Sequence, residues 1–303
     1  MTRLLHISDL HFGAVDAGLC EPLLALSEAL RPDAVIVSGD LTQRARAGQF
    51  RAAADYLAQF AAPVLAVPGN HDAPLFNLAE RLLTPFRRYR RHFSDVLEPK
   101  LDLPHAVIVG VNTANPMVWK EGRLSVASAA RLAEGFRAAP AGAARIAVLH
   151  HAPVPAADGT PADIRDPVGV IADLVAAGTE IVLSGHTHMP HFTVAATAAG
   201  ILFVQVGTAI STRLKTGLND VGVIDIDTEG ATVQSWVAGA DKVFRQATEQ
   251  RFDRVDGRWL LAAAASVPGV GHVGLAAGDE VMEPVTDAVI QRGGLELGKP
   301  PLP

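Results

Sequence analysis

The stretch SGHTHMPH, residues 184–191, places three histidines directly after the apolar run EIVL, residues 180–183. An apolar run of this length is typical of a strand buried on both faces, which requires helices packed over the sheet. Side chains at positions i and i+2 of an extended chain point to the same side, so His186 and His188 are able to direct two imidazoles at one point. The stretch therefore predicts an α/β fold with a polar site at the end of a strand.

Eight further apolar runs predict strands, and stretches of helical period rich in alanine and leucine lie between them. Together with residues 180–184, the predicted strands are residues 3–8, 33–38, 62–67, 105–111, 145–149, 201–206, 221–227 and 231–237. The predicted helices lie near residues 20–30, 46–60, 74–92, 125–138 and 167–177. Because strand follows strand towards the C-terminus, we also expect a second, more antiparallel sheet.

The chain has 303 residues, 49% of them hydrophobic and 19% charged, which is typical of a globular protein rather than a disordered chain. Its formal net charge of −6 disfavours a protein that binds long nucleic acid, which requires a basic surface. The single cysteine, Cys20, excludes an internal disulfide. No apolar run reaches the length of about 18 residues expected of a membrane span, and the N-terminus lacks the pattern of a signal peptide, so we expect a cytoplasmic protein.

Side chains able to bind a metal follow five of the predicted strands. Open α/β sheets hold their ligands at the carboxyl ends of strands, so we expect these side chains to meet at one site. Glycines at positions 39, 69 and 185 would let the chain turn sharply there, where a side chain would crowd bound ions. The predicted ligands, in chain order, are Asp9, His11, Asp40, Asn70, His150, His186 and His188.

This ligand set combines imidazoles, carboxylates and one amide oxygen without a thiolate. Manganese, iron and zinc suit such a set better than calcium or magnesium alone. Seven donors exceed what one tetrahedral ion takes, and the two oxygens of Asp40 would allow it to bridge two ions. We therefore predict two metal ions, with manganese, iron and zinc as the alternatives.

The order of these residues resembles the motifs of the calcineurin-like metallophosphoesterases, namely Asp9-x-His11, Gly39-Asp40, Gly69-Asn70-His71-Asp72, His150 and Gly185-His186-x-His188. The resemblance spans about residues 3–228 and implies a four-layer αββα sandwich of two mixed β-sheets flanked by helices. It implies one metal held by Asp9, His11, Asp40 and His188, and a second held by Asp40, Asn70, His150 and His186. We predict a catalytic domain over residues 1–260 and an Ala/Gly/Pro-rich appendage over residues 261–303.

Three segments look most like the class III cyclic-nucleotide phosphodiesterases: LLHISDLHFG (4–13), VSGDLTQRA (37–45) and VLHHAPVP (148–155). The resemblance implies hydrolysis of a small phosphodiester, with 3′,5′-cyclic nucleotides as candidate substrates, through attack by a hydroxide that bridges the two metals. His71 would protonate the departing alkoxide, and Asp72 would orient His71 or a metal ligand.

Four further side chains are predicted substrate contacts. Arg44 follows the Gly-Asp motif, and Asn112 stands where the family commonly has aspartate, so the pattern defines the chemistry more closely than the substrate. His151 neighbours His150, and the resemblance favours His150 as the ligand and His151 as its neighbour or a substrate contact. His191 lies either at the mouth of the site or on the plain surface.

The segment RLLTPFRRYRRHF, residues 81–93, carries five arginines interleaved with aromatic residues in an otherwise acidic chain. A solvated helix face or a contact within a homo-oligomer explains this pattern. The alternative is a surface, Arg81–Arg91, that attracts an anionic substrate, a lipid headgroup or a membrane.

Other functions stay open on the same ligand set. Within the hydrolases they are a phosphomonoesterase, a lipid-linked pyrophosphohydrolase and a nuclease, which the net charge disfavours. Outside the hydrolases they are an inactive binding protein and a metal-dependent redox enzyme. The first is disfavoured because no expected ligand is lost, and the second because the sequence shows no cofactor motif.

Overall fold

Two β-sheets run through the structure, and helices cover their outer faces. The computed structural model describes residues 1–195, 200–255 and 258–262. The strands in these residues are β1 (Thr2–Ile7), β2 (Ala34–Val37), β3 (Val64–Ala66), β4 (Lys100–Leu103), β5 (Ala106–Gly110), β6 (Ala144–Val148), β7 (Ile181–Ser184), β8 (His191–Val194), β9 (Leu202–Gln205), β10 (Asn219–Ile226), β11 (Gly230–Ala238), β12 (Phe244–Val255) and β13 (Arg258–Leu261).

Six α-helices lie in the same described residues: α1 (Cys20–Leu30), α2 (Ala47–Leu57), α3 (Leu78–Leu83), α4 (Arg87–His92), α5 (Val126–Phe136) and α6 (Pro167–Ala176). Local sequence sets where α5 and α6 begin. The side chain of Ser125 caps α5 and that of Asp166 caps α6, each accepting a hydrogen bond from a backbone N–H of the first turn. Proline in the first turn of α6 adds to this signal, since its fixed φ suits that position.

Both sheets are mixed. The first has the order β13-β12-β11-β10-β1-β2-β3, in which β1, β2 and β3 are parallel and the other pairs are antiparallel. The second has the order β4-β5-β6-β7-β9-β8, in which β5, β6, β7 and β9 are parallel. The parallel strands of each sheet lie at its centre or one side, and their carboxyl ends share one edge.

Alternate residues of β1 and β2 enter different apolar layers. Leu4 and Ile36 pack between the two sheets together with Ile146 of β6. Leu5 and Val35 pack on the opposite face, against α1 and α2. A third apolar layer fills the space between the second sheet and the helices α5 and α6. The predicted four-layer αββα sandwich of two mixed sheets is therefore confirmed.

All nine predicted strands are confirmed, with ends that differ by at most two residues. The predicted helix at residues 74–92 is instead two helices, α3 and α4, because Pro85 disfavours helical backbone at Thr84 and has no N–H to donate. A second sheet is present, but the C-terminal strands β10–β13 do not form it. β10 pairs antiparallel with β1, so that β10–β13 extend the first sheet.

The predicted appendage falls on residues 261–303, of which only 261 and 262 lie within the described residues. The predicted domain boundary near residue 260 therefore stays a prediction. In the described part of the chain, no helix combines the length and the apolar character needed to cross a membrane.

Asp220 is a buried carboxyl near the start of β10. It accepts hydrogen bonds from the backbone N–H of Gly207 at 2.9 Å and from the Ser235 hydroxyl at 2.5 Å. Burial raises the pKa of Asp220 to about 6, although both hydrogen bonds lower it. Because this pKa in the unfolded chain is about 4, the folded state binds the proton more tightly, and the stability from that proton is lost as the pH rises through 6.

The variant Asp220→Asn should remove this pH dependence. We expect the free energy of unfolding of the wild type, relative to the variant, to be highest below about pH 4 and to fall by roughly 2 to 3 kcal/mol by about pH 7. Urea unfolding of both proteins across this range measures the difference. A difference that stays constant with pH contradicts a raised pKa for Asp220.

Candidate metal centre

The predicted ligands meet at the edge where five parallel strands end. Asp9 and His11 follow β1, Asp40 follows β2, Asn70 follows β3, His150 follows β6, and His186 and His188 follow β7. The carboxylates and imidazoles among them belong to four overlapping groups whose ligand atoms lie within 4.8 Å of one another. The amide oxygen of Asn70 lies 3.2 Å from Nε2 of His150. The structure thus brings all seven side chains to one place.

The backbone at this edge is left-handed at five of the seven predicted ligands, with φ between 50° and 72° at Asp9, His11, Asp40, His186 and His188. For a residue with a Cβ this conformation costs about 1 kcal/mol or more. Strain of this kind clusters at functional sites, where the surrounding structure holds the residue in place.

Hydrogen bonds between neighbouring loops hold these residues. The N–H of Asp9 donates to the Gly39 carbonyl at 3.1 Å, and the N–H of His11 donates to the Asp40 carbonyl at 3.0 Å. The N–H of His186 donates to Oδ2 of Asp9 at 2.9 Å, which joins the loop after β7 to the loop after β1. The last bond connects the two sheets directly at the site.

Glycines are required here mainly for space. A methyl group at Gly185 would overlap the Ser8 hydroxyl and the Asp9 carboxylate, and one at Gly69 would overlap Asp40. Of the three glycines singled out in the sequence, only Gly39 uses a left-handed backbone, with φ 107°. A side chain at Gly69 or Gly185 would therefore crowd the ligand side chains themselves.

Asp9, His11 and His188 form the first group of ligand atoms. Nε2 of His188 lies 3.0 Å from Oδ1 of Asp9 and 3.2 Å from Nε2 of His11. Oδ2 of Asp40 lies 3.8 Å from Nε2 of His11. The Nδ1–H of His188 donates to the Arg213 carbonyl at 2.8 Å, so in the neutral ring the lone pair of Nε2 faces this group.

His150 is the centre of the second group. Its Nε2 lies 3.2 Å from Oδ1 of Asn70, 3.3 Å from Nδ1 of His186 and 3.4 Å from Oδ2 of Asp40. Its Nδ1–H donates to the Ser38 carbonyl at 2.8 Å. Asp40 therefore lies between the two groups and approaches both.

Acceptor atoms directed at one point repel one another unless positive charge lies between them. Burial lowers the pKa of His150, but the charge and hydrogen bond of Asp40, together with the charge of Asp9 and the Ser38 carbonyl, outweigh burial and raise this pKa to about 9. Burial likewise raises the pKa of Asp9, yet the charge and hydrogen bond of His188 hold it well below its ordinary value. The site thus stabilises positive charge, and its oxygen and imidazole donors are those that divalent metals bind.

His71 lies beside these groups. Its Nδ1–H donates to the Gln43 carbonyl at 3.0 Å, and its backbone N–H donates to Oδ1 of Asp40 at 2.8 Å. Its ring meets the His11 ring edge-on, with 4.9 Å between centroids. Nε2 of His71 is 3.1 Å from the Arg213 guanidinium, and burial lowers the pKa of the ring.

A cleft of about 680 Å³ opens over the centre, and Asp40, Asn70, His71, His186 and His188 line it. Five further charged or aromatic residues of the cleft wall were not predicted from the sequence, namely Trp119, Lys120, Asp163, Arg213 and Lys215. They lie in loops away from the strand-end motifs, so neither periodicity nor spacing indicated them. A second cavity of about 710 Å³ is lined by other residues, including Arg90, Glu98 and Asn112.

Asp72 is fully buried, and its carboxylate accepts hydrogen bonds from three backbone N–H groups, those of Leu41 at 3.1 Å, Thr42 at 2.9 Å and Gly69 at 3.0 Å. Burial and the charge of Asp40 raise its pKa to about 7, while these bonds lower it. Of the two predicted roles, orienting His71 or orienting a metal ligand, these bonds favour the second, because they hold the loops after β2 and β3 that carry Asp40 and Asn70. Asp72 joins those loops and is a positioning residue.

None of the four predicted substrate contacts is among the described residues that line the cleft. Arg44 donates to the Gln43 carbonyl at 2.9 Å, on the Nδ1 side of His71. Asn112 lines the second cavity, and His191 is half-buried in β8. These three residues lie outside the lining of the cleft, and their contact with a substrate stays a prediction.

His151 is fully buried, and both of its ring nitrogens have partners. Nε2–H donates to the Lys120 carbonyl at 2.9 Å, and Nδ1 accepts from the Thr113 hydroxyl at 2.9 Å. Burial holds the pKa of His151 well below its ordinary value, as expected for a neutral ring. This leaves no lone pair for a metal and no surface for a substrate, so the geometry favours His150 as the ligand.

The arginine-rich segment does not form one exposed surface. Arg81 is only 4% exposed, and the aromatic residues Phe86 and Tyr89 pack in the core. Arg88 bonds Glu80 and the Ala45 carbonyl. Arg81 and Arg88 thus bond within the protein, whereas Arg87, Arg90 and Arg91 are exposed, and the anionic or membrane contact through Arg81–Arg91 stays a prediction.

The family model of the calcineurin-like phosphoesterases matches residues 2–190. The chain belongs to this family. A cAMP/cGMP dual specificity phosphodiesterase of Mycobacterium tuberculosis is 30% identical over 202 residues, 61% of this chain and 61% of that protein. Glycerophosphodiester phosphodiesterase GpdQ of Enterobacter lignolyticus is 39% identical over 82 residues, 23% of this chain and 29% of that protein. The matched part of the chain spans less than two thirds of either relative.

A solved dimetal phosphatase from Danio rerio has the same fold, with a TM-score of 0.59 and 12% identity over 82% of this chain and 98% of that one. The calcineurin-like phosphoesterases use divalent metal ions, and the carboxylate and imidazole groups of this chain fit such ions.

Gly185→Ala tests the close packing around Asp9. The added methyl group must displace the Asp9 carboxylate, so we expect the free energy of unfolding to fall by roughly 1 to 3 kcal/mol and the affinity for Mn(II) to fall at least about tenfold. Gly48→Ala in α2 is the matched control, because its methyl group meets open space. Urea unfolding and calorimetric titration with Mn(II) measure both effects. Wild-type behaviour of the Gly185 variant would show that this packing is not needed.

Asp163 orients His186 through a contact of 3.0 Å between Oδ2 and Nε2, and the same oxygen lies 2.7 Å from Nζ of Lys120. The hydrogen bond with His186 lowers the pKa of Asp163. We expect Asp163→Asn to weaken Mn(II) binding about 10- to 100-fold. Lys120→Gln keeps the carboxylate and should change the affinity less than about threefold. Equal losses in both variants would assign the effect to the ion pair instead.

Proposed function

We propose that this protein is a dinuclear metal-dependent phosphodiesterase that hydrolyses a small phosphodiester, with 3′,5′-cyclic nucleotides as the candidate substrates. One observation carries the proposal: two groups of ligand atoms share Asp40 at the open edge of the sandwich. The first metal would be held by Asp9, His11, Asp40 and His188, and the second by Asp40, Asn70, His150 and His186. Manganese, iron and zinc all suit these donors.

When bound, a metal pair supplies an activated water and neutralises charge on the phosphate. The remaining work belongs to side chains of the cleft. Lys120, Arg213 and Lys215 line it and would attract and orient an anionic diester in a protein whose net charge is −6.

His71 is the proposed acid. Its Nδ1 is committed to the Gln43 carbonyl, so Nε2 is the nitrogen directed at the cleft. For this role the ring must carry a proton on both nitrogens, and the proton at Nε2 would pass to the departing alkoxide. Arg213, within 3.1 Å of that nitrogen, would stabilise the charge that develops on the phosphate oxygens.

The two curated relatives suggest different diesters, a cyclic nucleotide and a glycerophosphodiester. The cyclic nucleotide is favoured because the relative that acts on it matches the larger part of the chain. A cytoplasmic location and a homo-oligomer stay predictions from the sequence.

Turnover of a substrate panel tests the proposed reaction. With Mn(II)-loaded protein we expect hydrolysis of cyclic AMP and bis-p-nitrophenyl phosphate, and at least about tenfold lower kcat/KM for p-nitrophenyl phosphate. Preferred hydrolysis of the monoester would assign the protein to the phosphomonoesterases, and a preference for a glycerophosphodiester would exclude cyclic nucleotides as the main substrates.

His71→Ala should lower kcat by about 10²- to 10⁴-fold, because the leaving group loses its proton donor. Metal analysis should show unchanged metal content, since His71 is not one of the proposed ligands. His92→Ala, at the end of α4, is the control and should keep wild-type turnover. Wild-type kcat in His71→Ala on cyclic AMP excludes the acid role.

A further inference from the structure

Trp119 is an exposed aromatic side chain on the wall of the cleft. It is 56% exposed, whereas Trp259 is 1% exposed and Trp236 is half-buried. Exposing so large an apolar ring to water is unfavourable unless something covers it. Its place beside Asn70 and His186 in the cleft makes a bound molecule the candidate cover.

One face of the Trp119 indole ring packs on Arg81. The guanidinium carbon of Arg81 lies 4.8 Å from the ring centroid, and Arg81 is buried. Arg81 also donates to the carbonyls of Pro116 at 2.7 Å and Pro74 at 3.1 Å, and to the carbonyl of Val118. Because one ring face rests on this buried cation, the exposed area belongs to the other face and the edges.

Hydrogen bonds also hold the backbone that carries this ring close to the proposed metal ligands. Nδ2 of Asn70, a proposed ligand, donates to the Trp119 carbonyl at 3.3 Å. The next residue, Lys120, accepts a hydrogen bond from His151 through its carbonyl. A ring attached in this way is preorganised, so a ligand that stacks on it does not have to order the loop first.

We propose that Trp119 is the platform on which a planar aromatic group of the diester stacks, which makes it a specificity-determining residue for nucleotide-like esters over alkyl esters. This rests on the proposed phosphodiesterase function. The phosphate of such a molecule lies over the centre, near the cations Lys120 and Arg213, while its aromatic part covers the indole. Stacking a base on an aromatic side chain contributes enough to change affinity several-fold to about a hundredfold.

Binding by the full chain loaded with Mn(II) tests the platform without turnover. We expect calorimetry to show adenosine 5′-monophosphate binding at least about tenfold more tightly than glycerol 3-phosphate. Trp119→Leu, which keeps an apolar side chain but no ring, should abolish this preference by weakening adenosine 5′-monophosphate alone. Trp119→Phe should restore most of it.

Kinetics provide the second readout. In Trp119→Leu we expect KM for cyclic AMP to rise about tenfold with kcat within about twofold, and KM for an aliphatic glycerophosphodiester to stay the same. Met117→Ala is the control, because Met117 is 73% exposed on the same loop and lines the second cavity.

The outcomes separate the two proposals. If the wild type hydrolyses no diester, the proposed function is wrong. The binding preference for adenosine 5′-monophosphate over glycerol 3-phosphate then still tests whether Trp119 is a stacking platform. Equal losses for aromatic and aliphatic ligands in Trp119→Leu, or none, overturn the platform even if the protein is an active phosphodiesterase.

Discussion

The contact between the two sheets is the constraint on which the site depends. Leu4 and Ile36 of the first sheet pack against Ile146 of the second, and this apolar layer sets how far apart their strand ends lie. Asp9 and Asp40 come from one sheet, whereas the histidines after β6 and β7 come from the other. A centre built from both sheets therefore forms only when the sandwich is packed, and a core change between the sheets acts on the ligand distances directly.

Bringing the ligands together costs free energy, because it strains the backbone and places like charges close together. Five left-handed residues cost about 1 kcal/mol or more each, and acceptors near 3 Å from one another repel. Buried groups such as Asp72 offset this by bonding several loop N–H groups at once. A bound cation would offset the rest, because acceptors that repel one another would all attract it.

Strand positions and ligands could be predicted from the sequence because both follow short-range patterns. Each buried run is apolar at nearly every position, and each ligand stands within four residues of a strand end. β12 was missed because its residues are mostly polar and exposed, so pairing with β11 rather than an apolar pattern keeps it extended. Asp163, Trp119 and Arg213 lie on irregular loops, where tertiary contacts alone decide which side chain reaches the cleft.

Asn112 stands where the family commonly has aspartate, and its side chain forms a contact within its own loop. Oδ1 of Asn112 accepts the N–H of Ala114 at 3.0 Å, a turn contact that an aspartate carboxylate makes equally well. The residue thus shapes the start of the loop that ends at Trp119 and Lys120, and touches neither the ligands nor the cleft. In this chain the strand ends carry the proposed ligands, and the end of the loop from residue 112 to 120 forms part of the cleft wall. Differences in substrate between relatives are therefore expected in that loop, because loops vary more than the strands that position the ligands.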